Sequence, residues 1–429
     1  MSFTQLRRVL AVACVAAAAT LSAGSLDTLS NQSASYFFST AQTASTAGAG
    51  IIPYNPAGTA LLEKGFYLDA SSQTIFKFYS EKEDNLLKDT YKQNEPTPSL
   101  PSINFVYNFG DVGPGRLAAY ANGGICAGGG GLNWKDGTIG TNALKYQLAA
   151  KGVTLNSTSF EASSVYYSAG GGLSYAFLDN LVSVSAGARY VNGQRSGKLS
   201  GSTVQLGDIV YDFEYTAQGV TPIFGLDIRP VDGLTLGFRY EMETAMKFEY
   251  ETNEITPALK ANGYDQDGDK VTQDLPQVIS FAAEYKFTPE FTMSAGSNLY
   301  LLNLAKYDVN GDGSNDADDY FNPGYELNLA GQYQLTKKLL LGGTFMYSNQ
   351  GVKDAYWEDA DTIMGASANP PLNSVTFGTG AKYNVWKSLN LLLTGAYIHY
   401  LPVSAEVSVF DVTYNKDVVE VCLGASYKF

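Results

Sequence analysis

From about residue 66 onward, apolar and polar residues alternate with a period of two. Val182, Val184, Ala186, Ala188 and Tyr190 alternate with Ser183, Ser185, Gly187 and Arg189, and Leu234, Leu236, Phe238, Tyr240 and Met242 with Thr235, Gly237, Arg239 and Glu241. Ile279, Phe281, Ala283, Tyr285 and Phe287 repeat the pattern, as do Tyr325, Leu327, Leu329 and Tyr333. Successive side chains of a strand point to opposite faces, so this period predicts strands with one apolar face. Fourteen such segments are predicted, at 66–79, 101–110, 115–125, 163–178, 181–195, 215–229, 233–250, 274–287, 290–304, 323–335, 338–350, 371–385, 388–402 and 416–429.

The gaps between them alternate long and short. Asp111 to Pro114, Asp179-Asn180, Pro230 to Gly233, Thr288-Pro289, Lys337-Lys338 and Trp386-Lys387 are tight turns, separated by connections of 13 to 37 residues. A sandwich has no reason to place every long loop at one end, whereas membrane barrels have an even strand number, short turns on one side and long loops on the other. The expected fold is therefore all-β: a 14-stranded antiparallel transmembrane β-barrel over 65–429, with its apolar face toward lipid. Tyr190, Tyr285, Phe287, Tyr300, Tyr333, Tyr347, Tyr383 and Tyr397 lie near strand ends, where interfacial girdles are expected. The chain finishes Gly424-Ala425-Ser426-Tyr427-Lys428-Phe429, resembling the signal that hands outer-membrane barrels to their assembly machinery. Val421, Leu423, Ala425, Tyr427 and Phe429 are expected to face lipid and Cys422 the lumen.

Composition agrees with this picture. Of 429 residues, 45% are hydrophobic and 13% aromatic, which excludes disorder, and a formal net charge of -14 argues against nucleic acid as a partner. Nothing after the leader offers 18 consecutive apolar residues, so no membrane-spanning helix is predicted. Residues 1–23 read as a signal peptide: Arg7 and Arg8 form a basic start, Val9 to Ala19 an apolar stretch, and Leu21-Ser22-Ala23 a cleavage site. Cys14 sits too early, and in the wrong context, for a lipoprotein. Cys126 and Cys422 remain, and are expected as unpaired thiols.

Residues 27–62, within a predicted N-terminal segment 24–64, do not fit a strand pattern. They are small and polar, yet carry Tyr36, Phe37, Phe38, Ile51, Ile52 and Leu61, which would be wasted in solvent. A plug inside the barrel, a hatch, uses them. Asn55-Pro56-Ala57-Gly58 is a preset turn: Pro56 fixes φ, Asn55 bonds its own backbone, and Gly58 tolerates positive φ. This turn is expected inside the barrel, controlling permeation.

Asn31-Gln32-Ser33-Ala34-Ser35-Tyr36, Ala44-Ser45-Thr46 and Tyr54 to Gly58, ahead of a first strand opening Gly65-Phe66-Tyr67, resemble the N-terminal hatch of the FadL/TodX family of outer-membrane transporters. Gly128-Gly129-Gly130-Gly131, Pro222 to Leu226, and Leu275-Pro276 leading to Ala283 through Pro289 extend the resemblance over the whole mature chain. It implies a monomer in the outer membrane, in contact with its lipid, taking up long-chain fatty acids or other hydrophobic small molecules. Ligand would be captured among outer loops, held in an internal hydrophobic pocket, and released through a lateral opening or past a moved hatch. No clear counterpart of a long amphipathic loop pair for surface capture is present.

Candidate chemistry is sparse. His399 is the only histidine, lies in a strand, and has no Ser or acid set around it, so no enzyme is predicted. The glycine run at 128–131 lacks the Lys-Ser/Thr of a phosphate loop; it marks a flexible strand end or bulge, a close backbone approach, or a gap in the wall. Arg189 and Arg239 point into the lumen by alternation. They are candidates for a ligand carboxylate, or else for an ion-pair network with Glu241 or Asp227. Asp308, Asn310, Asp312, Ser314, Asp316 and Asp319 fall at positions 1, 3, 5, 7, 9 and 12 of a calcium loop with Gly313 at position 6, although Asp replaces the usual Glu at position 12. That makes Ca²⁺ a candidate for loop 308–319, with a solvated acidic loop as the alternative. Asp265, Asp267 and Asp269 form a weaker version. A general diffusion porin and a surface structural or adhesin barrel are the competing functions.

Overall fold

The computed structural model describes residues 33–429 except 150–151, 206, 262–264, 310–312 and 408–409. The predicted leader and the start of the hatch motif, Asn31-Gln32, therefore lie outside the described residues. Fourteen strands close into one antiparallel barrel: β1 (Gly65–Glu83), β2 (Thr97–Val112), β3 (Gly115–Trp134), β4 (Leu155–Phe177), β5 (Val182–Thr203), β6 (Gly207–Val231), β7 (Leu234–Glu241), β8 (Val278–Lys286), β9 (Phe291–Tyr300), β10 (Gly324–Gln334), β11 (Leu339–Asn349), β12 (Ser374–Trp386), β13 (Leu389–Tyr400) and β14 (Phe410–Lys428). Each pairs with the next, and β14 returns to β1 from Tyr67↔Lys428 to Glu83↔Val412. Four short strands, Asp89–Gln93, Lys247–Ile255, Lys270–Thr272 and Val403–Val407, extend the same sheet at the long-loop end.

The outside is apolar where lipid would touch it. Leu173, Val184, Phe281, Leu329, Leu393 and Leu423 are all exposed. Their strand neighbours Ser174, Ser183, Ser280, Ala330, Thr394 and Cys422 are buried toward the lumen. This is the inverse of a water-soluble protein, and it is what the bilayer selects, because outward polar groups there find no hydrogen-bond partner. Of the expected girdle, Tyr190, Tyr285, Phe287, Tyr333, Tyr383 and Tyr397 are exposed. Tyr300 corrects the sequence reading. On β9 it shares its face with buried Ser294 and points inward, where its hydroxyl donates to Glu326 at 3.1 Å.

Membrane strands need only about 9–11 residues. Strands β7 to β13 have 8 to 13, but β4, β5 and β6 have 23, 22 and 25, so one side of the barrel rises far above the bilayer. Segments 155–162, 196–203 and 207–214, expected as loops, are strand for this reason. Above the bilayer the pattern changes phase. On the inward face of β6, Thr221 and Asp227 are polar at membrane depth, whereas Tyr211, Phe213 and Tyr215 are apolar higher up, with Asp212 and Glu214 now outward. Outside lipid, the apolar side must turn in.

A second correction concerns 233–250, expected as one strand. The wall exchanges partners there. β7 ends at Glu241, Thr244 makes only a single bridge with Leu275, Met246 donates its N–H to Asp274 at 2.7 Å, and Lys247–Ile255 pairs with the upper part of β6.

Residues 34–62 sit within the ring of strands as short helical turns, Ala34–Phe38, Gln42–Ala44, Ala49–Ile51 and Pro56–Leu61. Their apolar side chains are spent as the composition requires: Tyr36, Phe37, Phe38, Ile51 and Ile52 are at most 5% exposed. Polar bonds tie the segment to opposite walls. Thr59 meets Ser174 of β4 at 2.6 Å, Asn108 of β2 donates to Thr59 O and Ala60 O at 3.1 Å, Ser39 meets Ser294 of β9 at 3.1 Å, and Thr40 bonds Thr344 of β11.

Candidate functional site

The hatch turn is built around one side chain. Asn55 is fully buried and caps the Pro56–Leu61 turn, accepting from Ala57 N–H at 3.2 Å. Its amide nitrogen donates to Thr43 O at 2.8 Å, Asp227 Oδ1 at 2.8 Å and Leu226 O at 3.3 Å. Ser183 Oγ donates to Ala57 O at 2.6 Å. This contact depends on Gly225 of β6, since a Cβ there would stand 2.2 Å from Asn55 Oδ1. Asn55, Pro56, Ala57 and Gly58 thus lie where the sequence reading expects them, inside the barrel against β5 and β6. Asp227 serves Asn55 rather than an arginine.

A cavity adjoins the hatch. Tyr36, Gln42 and Tyr54 form its hatch side, and Arg189, Arg239, Glu241, Asn298 and Tyr300 its wall. Burial drives the Tyr54 phenol up to about 12 against the opposing bonds from Ser33, so it is a neutral donor at any ordinary pH. Arg189 and Arg239 point inward as alternation places them, and both guanidiniums converge on Glu241, one on each carboxylate oxygen. Two cations share one anion, leaving a formal charge of +1 beside the cavity. The lining mixes polar and apolar groups, in contrast to the hydrophobic pocket implied by the resemblance. The large apolar cluster lies beyond it, in the tall part of the barrel, where Tyr211, Phe213, Tyr215, Phe248 and Tyr250 stack.

The sequence reading passed over Arg195. It is 2% exposed, lies over the rings of Phe248, Tyr166 and Tyr215 at 4.6, 5.4 and 5.5 Å, and bonds Gln273 and Tyr166. The available signal was parity: Arg195 lies on the same face of β5 as Arg189.

At the opposite edge the cavity reaches the wall. Pairing between β2 and β3 stops at Ser102↔Gly124, although both strands continue, and Leu100, Ser102 and Gly123 to Cys126 line the cavity there. Against β4, Ile125 pairs with Tyr167, Ala127 with Tyr166 and Gly130 with Ser164, so Gly128 and Gly129 stand opposite Val165 alone. This is a β-bulge. Gly128 takes φ 91°, and a Cβ there would lie 2.3 Å from Ser164 O. Freed carbonyls are taken from inside: Gly131 O accepts from Lys77 Nζ at 2.7 Å and Gly129 O from Thr97 Oγ1 at 2.9 Å. Of the readings open for the glycine run, a bulge beside a break in wall pairing is what the chain adopts.

The calcium loop is only partly described, since Asn310 and Asp312 lie outside the described residues. Asp308 Oδ2 accepts from Gly313 N–H at 2.9 Å and Asp316 Oδ1 from Val309 N–H at 2.7 Å, so these carboxylates hold the loop backbone. Ser314 and Asp319 lie in the same loop, Asp319 in the Ala317–Tyr320 turn. Asp265 pairs with Lys260 at 2.8 Å, which holds its carboxyl below the usual range, and Asp267 and Asp269 follow it. Among the described residues, no three His, Cys, Asp or Glu side chains converge to hold a metal. His399 bonds Asp417 at 2.9 Å and is 45% exposed on its side chain.

No family model and no curated protein matches the chain. Solved structures do. A Pseudomonas aeruginosa FadL homologue aligns at TM-score 0.62 and 14% identity, over 91% of this chain and 98% of that one. The Pseudomonas putida toluene transporter TodX aligns at 0.60 and 12%, over 94% and 100%. The Ralstonia pickettii toluene transporter TbuX aligns at 0.57 and 13%, over 89% and 94%. At such identities the likeness is one of architecture, and it spans the whole barrel: this chain has the fold of the FadL and TodX transporters, a closed 14-stranded antiparallel β-barrel.

Proposed function

We propose that this chain carries hydrophobic and amphipathic small molecules, long-chain fatty acids among them, across the outer membrane and delivers them sideways into the bilayer. One relationship carries the reading: the cavity beside the hatch ends at the wall where β2 and β3 stop pairing and β3 bulges. A hydrophobic solute leaving there enters lipid without crossing the hatch, whose bonds to β2, β4, β5, β6, β9 and β11 need not break. The tall, aromatic mouth supplies an apolar entry, since such surfaces accept solutes by size and shape.

The arginine pair supports an acidic head group. Glu241 neutralises one guanidinium, and the second charge favours a carboxylate through fork-like hydrogen bonds. The structural neighbours include toluene transporters and a FadL homologue, which favours a transporter over an enzyme and a hydrophobic cargo over ions. A diffusion porin needs an open lumen, and the bonded segment 34–62 argues against one.

Uptake of a fluorescent fatty acid into lipid vesicles containing the protein tests this reading. Delivery should fall to the protein-free rate when Gly128 is deleted to remove the bulge. Undiminished delivery by that variant, correctly assembled, refutes lateral release.

A further inference from the structure

We propose that the cavity beside the hatch selects acids that carry a hydroxyl group partway along the chain. The inference rests on the acid-head reading above and names a finer class of cargo for the same site.

Two kinds of unmet hydrogen-bonding group line this cavity. Arg189 and Arg239 each engage Glu241 through Nη2, while the Nε of both is buried with no partner among the described residues. These are donors. Asn104 of β2 is fully buried and lines the same cavity. Its Nδ2 donates to Asp69 Oδ1 at 3.4 Å, and Asp69 lies outside the cavity lining. Its Oδ1 is an acceptor with no partner among the described residues. Buried polar groups are nearly always satisfied, so orphans of opposite character in one cavity describe a ligand: acceptor oxygens for the arginines and a donor for Asn104.

The barrel register sets the two apart. Asn104 pairs with Asn122, Asn122 with Gly170 and Gly170 with Arg189, so the four stand in one row across β2 to β5. Gly170 leaves the middle of the row without a side chain; a Cβ there would stand 2.8 Å from Asn122 Oδ1 and 3.4 Å from Arg189 Cα. At the usual strand spacing of about 4.8 Å, the Cα atoms of Asn104 and Arg189 are separated by about 14 Å along the wall. The arginine side chain covers part of that span, which leaves several methylenes between carboxylate and donor. Leu100, on the same face of β2 as Asn104, and Ile125 supply apolar wall for them.

The donor that fits is a hydroxyl. An ammonium would shed its hydration for one amide oxygen, at a cost that a neutral O–H avoids. A plain hydrocarbon chain leaves Asn104 Oδ1 unpaired, and a site built to bond an O–H discriminates against the analogue that lacks it.

The test is displacement of a fluorescent fatty acid from the full chain in detergent. The competitors are octadecanoic acid, a mid-chain hydroxy-octadecanoic acid, and the methyl ether of that hydroxyl, which keeps the oxygen and deletes the donor. Wild type should bind the hydroxy acid about tenfold more tightly than the parent acid, and the ether no more tightly than the parent. Asn104→Leu, similar in shape but without the acceptor, should bind hydroxy and parent acids alike. Equal binding of the two by wild type, as follows if ordered water alone serves Asn104, overturns the inference and leaves the acid-head reading standing. A preference that persists in the ether or in Asn104→Leu overturns it equally. Displacement by neither acid refutes the acid-head reading and this inference with it. Should Asn104→Leu fail to assemble, the ether decides.

Discussion

The side-chain amide of Asn55 donates to the carboxylate of Asp227 at 2.8 Å, joining the hatch turn to β6 at a point sealed from solvent. Neither group has water to fall back on. A buried hydrogen bond contributes about 0.5–1.5 kcal/mol net, and its loss also leaves a buried polar group without its partner, at about 1–3 kcal/mol. Asn55→Ala is therefore expected to weaken hatch seating by about 2–4 kcal/mol while leaving the barrel assembled. In planar bilayers this reads as frequent ion-conducting openings against a quiet wild type. Asp227→Asn, which retains a neutral acceptor, should leak less than Asn55→Ala.

The bulge gives the second prediction. Deleting Gly128 leaves Gly129 alone opposite Val165 and removes the irregularity between Ala127 and Gly130, while the register shift at Cys126 remains. Vesicle delivery of hydrophobic cargo should fall at least about tenfold, with heat-modifiable electrophoretic mobility, the usual sign of a folded barrel, unchanged. Gly128→Ala should behave similarly, or fail to assemble, because φ of 91° and the nearby Ser164 O exclude a side chain.

The arginine pair separates cargo classes. If its surplus charge recognises a carboxylate, a fatty acid should bind more tightly than its methyl ester, by about tenfold for one charge-assisted hydrogen bond of about 1.4 kcal/mol. Arg239→Gln should remove that preference and leave toluene uptake unchanged. Equal binding of acid and ester to the wild type rules out the carboxylate role.

Glu83 carries a pH dependence at the outer tip of β1. Its carboxylate accepts from Asn85, Leu86 and Lys88 N–H at 2.9, 2.8 and 3.2 Å, and from Asp411 N–H at 3.1 Å across the β14 hairpin. Burial alone raises its pKa, but these backbone donors outweigh it and hold the group below its ordinary value. A depressed pKa means stabilisation that is complete above the unfolded value of about 4.3 and is lost as pH falls through the folded one. Protection of the amides of residues 84–88 against exchange, taken relative to the intrinsic rate at each pH, should therefore be high at pH 7 and fall steeply below pH of about 4. Glu83→Gln should show the low protection already at pH 7.

Much of this architecture is legible in the sequence because the bilayer imposes a simple rule, outward apolar and inward polar, on every strand it touches. Val421, Leu423 and Phe429 point out and Cys422 in, as period two requires. The rule stops at the membrane surface. There the inward positions of β6 change from Thr221 to Tyr215 and Phe213, and a reading that follows one apolar face ends the strand too early. Tyr300 was misplaced for a related reason: an aromatic near a strand end serves a girdle or the lumen according to parity, and parity on β9 sends it in. The hatch contacts are less legible. Asn55 is readable as a turn former, but its partner Asp227 lies 172 residues away and is met only through the barrel's closure.

Under the proposed lateral release, cargo leaves through the wall with the hatch in place. Thr40 of the hatch bonds Thr344 of β11, so Thr40→Cys/Thr344→Cys, with Cys126 and Cys422 changed to Ser, allows the hatch to be pinned by oxidation. Delivery of a fluorescent fatty acid into vesicles is then measured before and after cross-linking. Equal rates are expected for the pinned and reduced protein, and loss of delivery when Gly128 is also deleted. A rate that collapses on cross-linking and returns on reduction would show that the hatch must move, contradicting lateral release.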